Sequence, residues 1–250
     1  MDRAERAALP APREEAASQT AALNARFAQS GAEELLRATI TDLFFGRIAL
    51  VSSFGADSAV LLSMIARIDR KTPVLFIDTK LLFEETLAYR DALAARLGLE
   101  NVVTLQPDPA LLGAEDRENF LWASHPDRCC EIRKVLPIDA ALNSYDAWIS
   151  GRKRFQSTTR SHLDLFEVEE SGRIKINPLA HWTATQIMDY LNRAGLPPHP
   201  LVAKNYLSIG CIPCTSPVKP GEDPRAGRWR GKAKIECGLH VKPLLESAES

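Results

Sequence analysis

Apolar residues along the chain gather in short runs with strand character, separated by stretches of helical period. Arg47-Ile48-Ala49-Leu50-Val51, Val74-Leu75-Phe76-Ile77-Asp78-Thr79, Val102-Val103-Thr104-Leu105, Ala147-Trp148-Ile149-Ser150 and Ile174-Lys175-Ile176-Asn177 each read as a strand. Ala59 to Ile65 reads as a helix buried on most sides. Phe83 to Leu97 reads as an amphipathic helix closed by Gly98, with Glu84 and Glu85 suited to the positive end of its dipole. Strands spaced by helices imply parallel βαβ units, hence an α/β fold whose parallel sheet carries helices on both faces.

Around that pattern the chain is less regular. Residues 1 to about 30, rich in Ala, Glu and Arg with Pro10 and Pro12 near the start, read as a frayed lead-in and a surface helix, and Ala32 to Arg37 as another short helix. Pro107 to Pro126 has no clear period and reads as a surface segment. Asp127 is placed to cap a helix carrying Cys129 and Cys130, which runs to Leu136 before Pro137 forces a break or bend. Thr183-Ala184-Thr185-Gln186 has the form of a capping box for a helix through Arg193, stopped by Gly195, Pro197 and Pro198. Prolines then punctuate an irregular C-terminal extension. The organisation expected is a helical lead-in over 1–38, an α/β domain over 39–200 and an extension over 201–250.

Composition narrows the functional classes. With 45% hydrophobic residues in 250, a substantial core can form. The formal charge of -1 argues against a generally basic nucleic-acid binder, so any polyanion site must be local. The longest apolar run, Ile48 to Ile65, is interrupted by Ser52, Ser53, Asp57 and Ser58 and is not a membrane span. No apolar stretch of signal-peptide length opens the chain, and the protein reads as cytoplasmic, where cysteines are more often ligands or catalysts than bridges.

Two features carry candidate chemistry. The first is Ser52-Ser53-Phe54-Gly55-Ala56-Asp57-Ser58, a small-residue turn between a strand and a helix. Gly55 lets backbone approach a ligand, the hydroxyls of Ser52 and Ser53 add donors, and the helix start favours an anion. Arg152, Lys153 and Arg154, at the end of another strand, are placed to meet such an anion. The second feature is the cysteines, confined to Cys129-Cys130, Cys211-x-x-Cys214 and the isolated Cys237. Two distant pairs suggest a four-thiolate metal or iron–sulfur site. Cys211-x-x-Cys214 alone favours zinc, whereas adjacent residues on a helix point about 100° apart and suit the spread corners of a multi-iron cluster better than one ion. Between Lys219 and Glu236 six Lys or Arg face three acids, a setting that lowers the pKa of a nearby thiol and screens an incoming anion, so Cys237 reads as a reactive thiolate. His125, His162, His181 and His199 read as structural or exposed.

Taken together, the Ser-Ser-Phe-Gly-Ala turn, Cys129-Cys130 followed by Arg133-Lys134, Cys211-x-x-Cys214, Arg225-Ala-Gly-Arg228-Trp229 and Glu236-Cys237-Gly238-Leu239-His240 resemble the assimilatory adenylyl-sulfate (APS) reductases over roughly Arg47 to His240. The resemblance implies a PP-loop, HUP-like adenine-nucleotide domain. It also implies a [4Fe-4S] cluster on Cys129, Cys130, Cys211 and Cys214, and Cys237 as nucleophile. Lys134 would lie between cluster and substrate, and Arg225, Arg228 and His240 around the sulfate. Lys80 departs from the glycine frequent in the family after Asp-Thr, and Arg230-Gly231-Lys232 replaces a more aromatic, acidic stretch.

The activity so implied is reduction of adenosine 5'-phosphosulfate to sulfite and AMP through an enzyme S-sulfocysteine, with thioredoxin or a glutaredoxin as reductant and a homo-oligomeric enzyme. The related 3'-phosphoadenylyl-sulfate (PAPS) reductases share the fold and the final cysteine motif but generally lack the two pairs. An iron–sulfur PP-loop enzyme of tRNA thiolation would be expected to carry Ser-Gly-Gly-x-Asp-Ser and a broad basic surface, and this turn lacks the Gly pair. An iron–sulfur redox sensor would need a DNA-binding helix pattern that is not evident.

Overall fold

The computed structural model of the chain describes residues 13–157, 160–232, 234, 236 and 238–240, apart from the side chains of residues 13, 14 and 240. Its strands are β1 (Ile48–Ser52), β2 (Val74–Ile77), β3 (Val102–Leu105), β4 (Ala147–Ile149), β5 (Phe166–Val168) and β6 (Ile174–Ile176). They form one sheet in the order β3-β2-β1-β4-β6-β5, parallel throughout except where β5 runs antiparallel to β6. β5 answers to none of the expected strands.

Period-two alternation decides which helices cover which face. Ile48 and Leu50, Val74 and Phe76, Ala147 and Ile149, and Ile174 and Ile176 join one core. It is closed by α1 (Arg13–Phe27), α2 (Ala32–Ala38), α3 (Ser58–Ile68), α4 (Glu84–Leu97) and α9 (Ala184–Arg193). Ala49, Leu75, Ile77 and Trp148 point the other way, onto Ile138 and Leu142 of α8 (Leu136–Leu142). The crossovers from β1 to β2 and β2 to β3 carry α3 and α4 on one side, and the return to β4 carries α8 on the opposite side.

Local signals explain most boundaries. Gly98 ends α4 at φ 63, a left-handed turn that glycine adopts without strain. Thr183 and Gln186 form the reciprocal capping box of α9. Four expectations are corrected. α1 is no mere surface helix: it buries Ala16, Leu23 and Phe27, and Asn24 exchanges hydrogen bonds with the backbone of Phe166, covering β5. The stretch after Pro107 holds two short helices, α5 (Pro109–Glu115) and α6 (Leu121–Ser124). Asp127 is not the cap of α7 (Pro126–Cys130), whose N-cap is His125 with Pro126 at the first position. Pro137 does not stop the helix, because the wider turn Glu131–Val135 absorbs the missing hydrogen bond and Pro137 falls in the first turn of α8. No described helix is long and apolar enough to cross a membrane.

The root of the extension is held by His199. Its ring is fully buried, Nδ1 accepts from the Leu201 amide at 3.2 Å, and Nε2 lies 3.1 Å from Thr86 Oγ1. Because Nδ1 accepts, the ring is neutral and Nε2–H donates to Thr86. Burial pushes its pKa down to about 4. The unfolded chain, at the ordinary 6.5, therefore binds the proton first, and stability present above pH 6.5 is lost as pH falls toward 4. Urea unfolding at pH 7.5 and pH 5 should differ by about 2 kcal/mol on this account, and His199→Gln should flatten that difference. Equal pH dependence in the two proteins would contradict it.

Candidate active site

Parallel strands deliver their following loops to one edge, and the connection direction reverses between β1 and β4, which opens a crevice there. It is a cavity of about 280 Å³. Ser52, Ser53, Gly55, Lys134, Arg152, Arg225 and Arg228, all singled out from the sequence, line it together. Cys237 and the side chain of His240 lie outside the described residues, but Glu236 and Leu239 line the same cavity.

The turn after β1 is shaped less by its glycine than by Phe54. Phe54 has φ 48, is fully buried, and meets Phe76 edge-on with ring centroids 5.5 Å apart. Ser52 Oγ accepts from the Phe54 amide at 3.2 Å. A Cβ on Gly55 would meet only ordinary contacts, Ser53 Oγ at 3.4 Å and Ile209 O at 3.7 Å. At the start of α3, Asp57 makes no side-chain cap. Its carboxylate instead accepts from Lys153 Nζ at 3.1 Å and Gln156 Nε2 at 3.5 Å, so the carboxylate best placed to cap the helix start is drawn toward the loop after β4.

The cations of the cavity, expected to meet an anion, are already engaged by groups of the chain itself. Arg152 pairs with Glu167 and reaches Asn177 Oδ1 at 3.3 Å. Lys153 is buried against Asp57, and burial pushes its pKa down. Arg160 grips Glu236 through Nε and Nη2, each at 2.8 Å, and Arg225 adds a contact at 3.2 Å. Arg228 donates to Cys214 O and Ile209 O, both at 3.4 Å, and stacks over Trp229. Farther along the tail, Arg230 pairs with Glu222, Lys232 donates to Trp122 O at 2.6 Å, and Lys234 pairs with Asp127. Of the six tail cations, Arg225 and Arg228 line the cavity, whereas Arg230, Lys232 and Lys234 dock the tail.

Beside the cavity the segments that carry the two cysteine pairs come together. Ile212 donates to Leu81 O at 2.8 Å and Cys211 bridges Leu82, stitching the extension to the loop after β2. Thr79 Oγ1 lies 3.2 Å from Cys211 Sγ. Lys80, in that loop, has φ 64, a left-handed conformation that glycine adopts at least cost. From the other side α7 brings Cys129 and Cys130. Arg133, buried in the wide turn, bonds Asp116, Asn119 Oδ1 and Thr79 O, tying that turn to the loop after β2.

All four paired cysteines are buried free thiols. Burial, then the neighbouring Cys130, pushes Cys129 up to about 12, with Cys211 adding to the rise, and burial and Cys211 push Cys214 upward. Buried thiols such as those of Cys129 and Cys214 shed their protons beside a strong positive centre, as metal or cluster ligation supplies. Trp229 adds an independent sign. It is 3% exposed, packs on Cys211 and Cys214, and its indole N–H has no partner among the described residues, a donor suited to a sulfur acceptor. Among the described residues no three His, Cys, Asp or Glu side chains are arranged to hold a single metal ion. The donor set fits a sulfur-ligated group.

Sequence reasoning missed Asp57 with Lys153, Thr79, and the engagement of Glu236 by Arg160. These are pairings between distant segments, and only the Glu236-Cys237 motif offered a local signal.

Comparison with known proteins agrees with this geometry. Residues 47–217 match the phosphoadenosine phosphosulfate reductase domain. A protein of Mesorhizobium japonicum named adenosine 5'-phosphosulfate reductase is 51% identical over 91% of this chain and 89% of its own length. One of Gloeobacter violaceus named phosphoadenosine 5'-phosphosulfate reductase is 39% identical over 84% of this chain and 89% of its own. The crystal structure of the PAPS reductase from Candida auris, in complex with phosphate, aligns with TM-score 0.67 and 27% identity, covering 80% of this chain and 96% of that one.

Gly227 tests the docking of the thiol loop. Its carbonyl accepts from the Ser216 amide at 2.8 Å, and a Cβ there would stand 2.0 Å from Ser216 O. Gly227→Ala should weaken that docking by about 1–3 kcal/mol, read as faster labelling of Cys211 and Cys214 by a thiol reagent. Unchanged labelling would show that the contact does not hold the loop.

Proposed function

The chain belongs to the phosphoadenosine phosphosulfate reductase family, and from that premise we propose that it reduces adenosine 5'-phosphosulfate to sulfite and AMP in assimilatory sulfate reduction. One observation carries the reading: the cavity that gathers the anion-favouring turn and the cations is also lined by Glu236 and Leu239, the described neighbours of Cys237. The nucleotide phosphate would meet the turn Ser52–Gly55 and the start of α3. The sulfate would face Lys134, Arg225, Arg228 and His240, with Arg152 deeper in the cavity.

In the first step the Cys237 thiolate attacks the sulfate sulfur in line. A sulfur–sulfur bond forms, the bond from sulfur to the bridging oxygen breaks, and its electron pair leaves with AMP. Cys237 is left as S-sulfocysteine. A thiolate of a dithiol protein, thioredoxin or a glutaredoxin, then attacks Cys237 Sγ and sulfite departs with the electron pair of that bond. The second thiol closes a disulfide and restores the Cys237 thiolate, so two electrons pass from the dithiol to sulfur. Cations around the sulfate offset the repulsion between thiolate and anion in the first step.

Cys129, Cys130, Cys211 and Cys214 would hold a [4Fe-4S] cluster, which would supply a fixed charged centre beside Lys134 and join the extension to the core. Lys134 lines the cavity and, by its charge, favours the thiolate form of Cys214, so it faces both sites. We place the enzyme in the cytoplasm as a homo-oligomer, with a helical lead-in over 1–38, the sulfonucleotide domain over 39–200 and the extension over 201–250.

The test is AMP and sulfite release with reduced thioredoxin, run on APS beside PAPS. APS should be the substrate turned over, and Cys237→Ser should lower turnover on the order of a thousandfold or more. A preference for PAPS would move the chain to the sister activity named for the Gloeobacter relative. Cys214→Ser should lower the iron and sulfide content of anaerobically purified protein. Zinc in place of iron in the parent would overturn the cluster assignment.

A further inference from the structure

The tail beyond Trp229 is anchored at every second position, each time to a different element. Lys232 donates to Trp122 O on α6 at 2.6 Å, Lys234 pairs with Asp127 on α7, and Glu236 reaches Arg160, Arg225 and Ser157 at the cavity. Past these anchors Leu239 packs on the core of Ile138 and Trp148. The first two anchors lie away from the cavity. The third lies inside it, one residue before Cys237.

Glu236 differs from a surface ion pair in two respects. Its side chain is 7% exposed, and its oxygens are engaged by Arg160 at 2.8 Å twice, Arg225 at 3.2 Å and Ser157 at 3.3 Å. Burial alone would raise its pKa, but Arg160 and Arg225 more than offset that and hold it below the usual carboxylate range. The socket is also prepared from behind. Arg160 donates to Gln156 Oε1 at 2.5 Å, and Gln156 reaches Asp57 at 3.5 Å, so the cation gripping the tail is linked to the start of α3.

We propose that Glu236 is a latch. Its carboxylate, seated on Arg160, Arg225 and Ser157, fixes the tail against the cavity and so sets where Cys237 stands over a bound sulfonucleotide. This rests on the functional reading above. Glu236 is a positioning residue: it contributes to the chemical step by confining the nucleophile.

Glu236→Gln, made in the full chain, keeps the shape and removes the charge. Hydrogen exchange of the tail segment 229–240 in the free enzyme should quicken about tenfold or more, while the sheet amides exchange as before. With APS, kcat should fall about tenfold or more with KM changed less than about threefold, and Glu236→Asp should recover part of the loss. A residue that merely supported the fold would raise exchange throughout and would show no recovery by Asp. The milder Ser157→Ala removes one of the contacts and should speed tail exchange about threefold, which keeps the idea testable if the Gln variant folds poorly. Tail exchange unchanged in both variants, or a loss confined to KM, would overturn the latch. Exchange needs no turnover, so a protein that protects its tail through Glu236 yet ignores APS would sink the functional reading and leave the latch standing.

Discussion

The tie between the helix that carries Cys129 and Cys130 and the loop that carries Cys211, made through Arg133 and Thr79, is the junction on which the rest of the site depends. Neither pair reaches that point by its own segment's preferences. Cys129 and Cys130 are delivered by a short helix whose continuation widens to pass Pro137, and Cys211 is held by hydrogen bonds to the loop after β2. Thr79 and Arg133 join the two arrivals, since Arg133 donates to Thr79 O at 2.8 Å and the Thr79 hydroxyl lies against Cys211. The junction thus brings the start of the extension to the crevice, where Arg225 and Arg228 line the cavity.

The cavity also illustrates how buried cations are held without loss of stability. Bare buried cations are costly, and this site avoids them by internal pairing: Arg152 with Glu167, Lys153 with Asp57, Arg160 with Glu236. An entering anion therefore meets charge pairs that must be shared or opened, not an unscreened positive surface. Discrimination then depends on which pair yields, and a ligand with the wrong charge distribution leaves a carboxylate stranded.

The architecture was largely legible in the sequence because most of its strands are apolar runs, buried in β1, β2, β4 and β6 and partly exposed in β3 at the sheet edge. β1, β2, β3, β4 and β6 fall where those runs lie. β5, three residues that run straight on into Glu169 and Glu170, escaped notice, and its place is fixed by pairing with β6 and by α1 packing over it. The helices α5 and α6 are each too short to repeat a pattern. At the site, residue types were readable, since cysteine spacing and a small-residue turn are local features. Pairings were not, because Asp57 meets Lys153 and Glu236 meets Arg160 only through the fold. The basic tail shows the difference best: its charge was plain, yet Arg230, Lys232 and Lys234 serve docking while Arg225 and Arg228 face the cavity.

The buried ring of Phe54 has a further consequence. A residue other than glycine rests in the left-handed region there only because the core around it, Phe76 included, leaves no alternative. The contour of the cavity-lining turn after β1 is thus set from beneath, by hydrocarbon packing, instead of by the polar groups it displays. Substitutions deep in the hydrophobic interior can retune ligand affinity without touching a single liganding atom, and the serines above can vary only within the outline that this aromatic contact imposes.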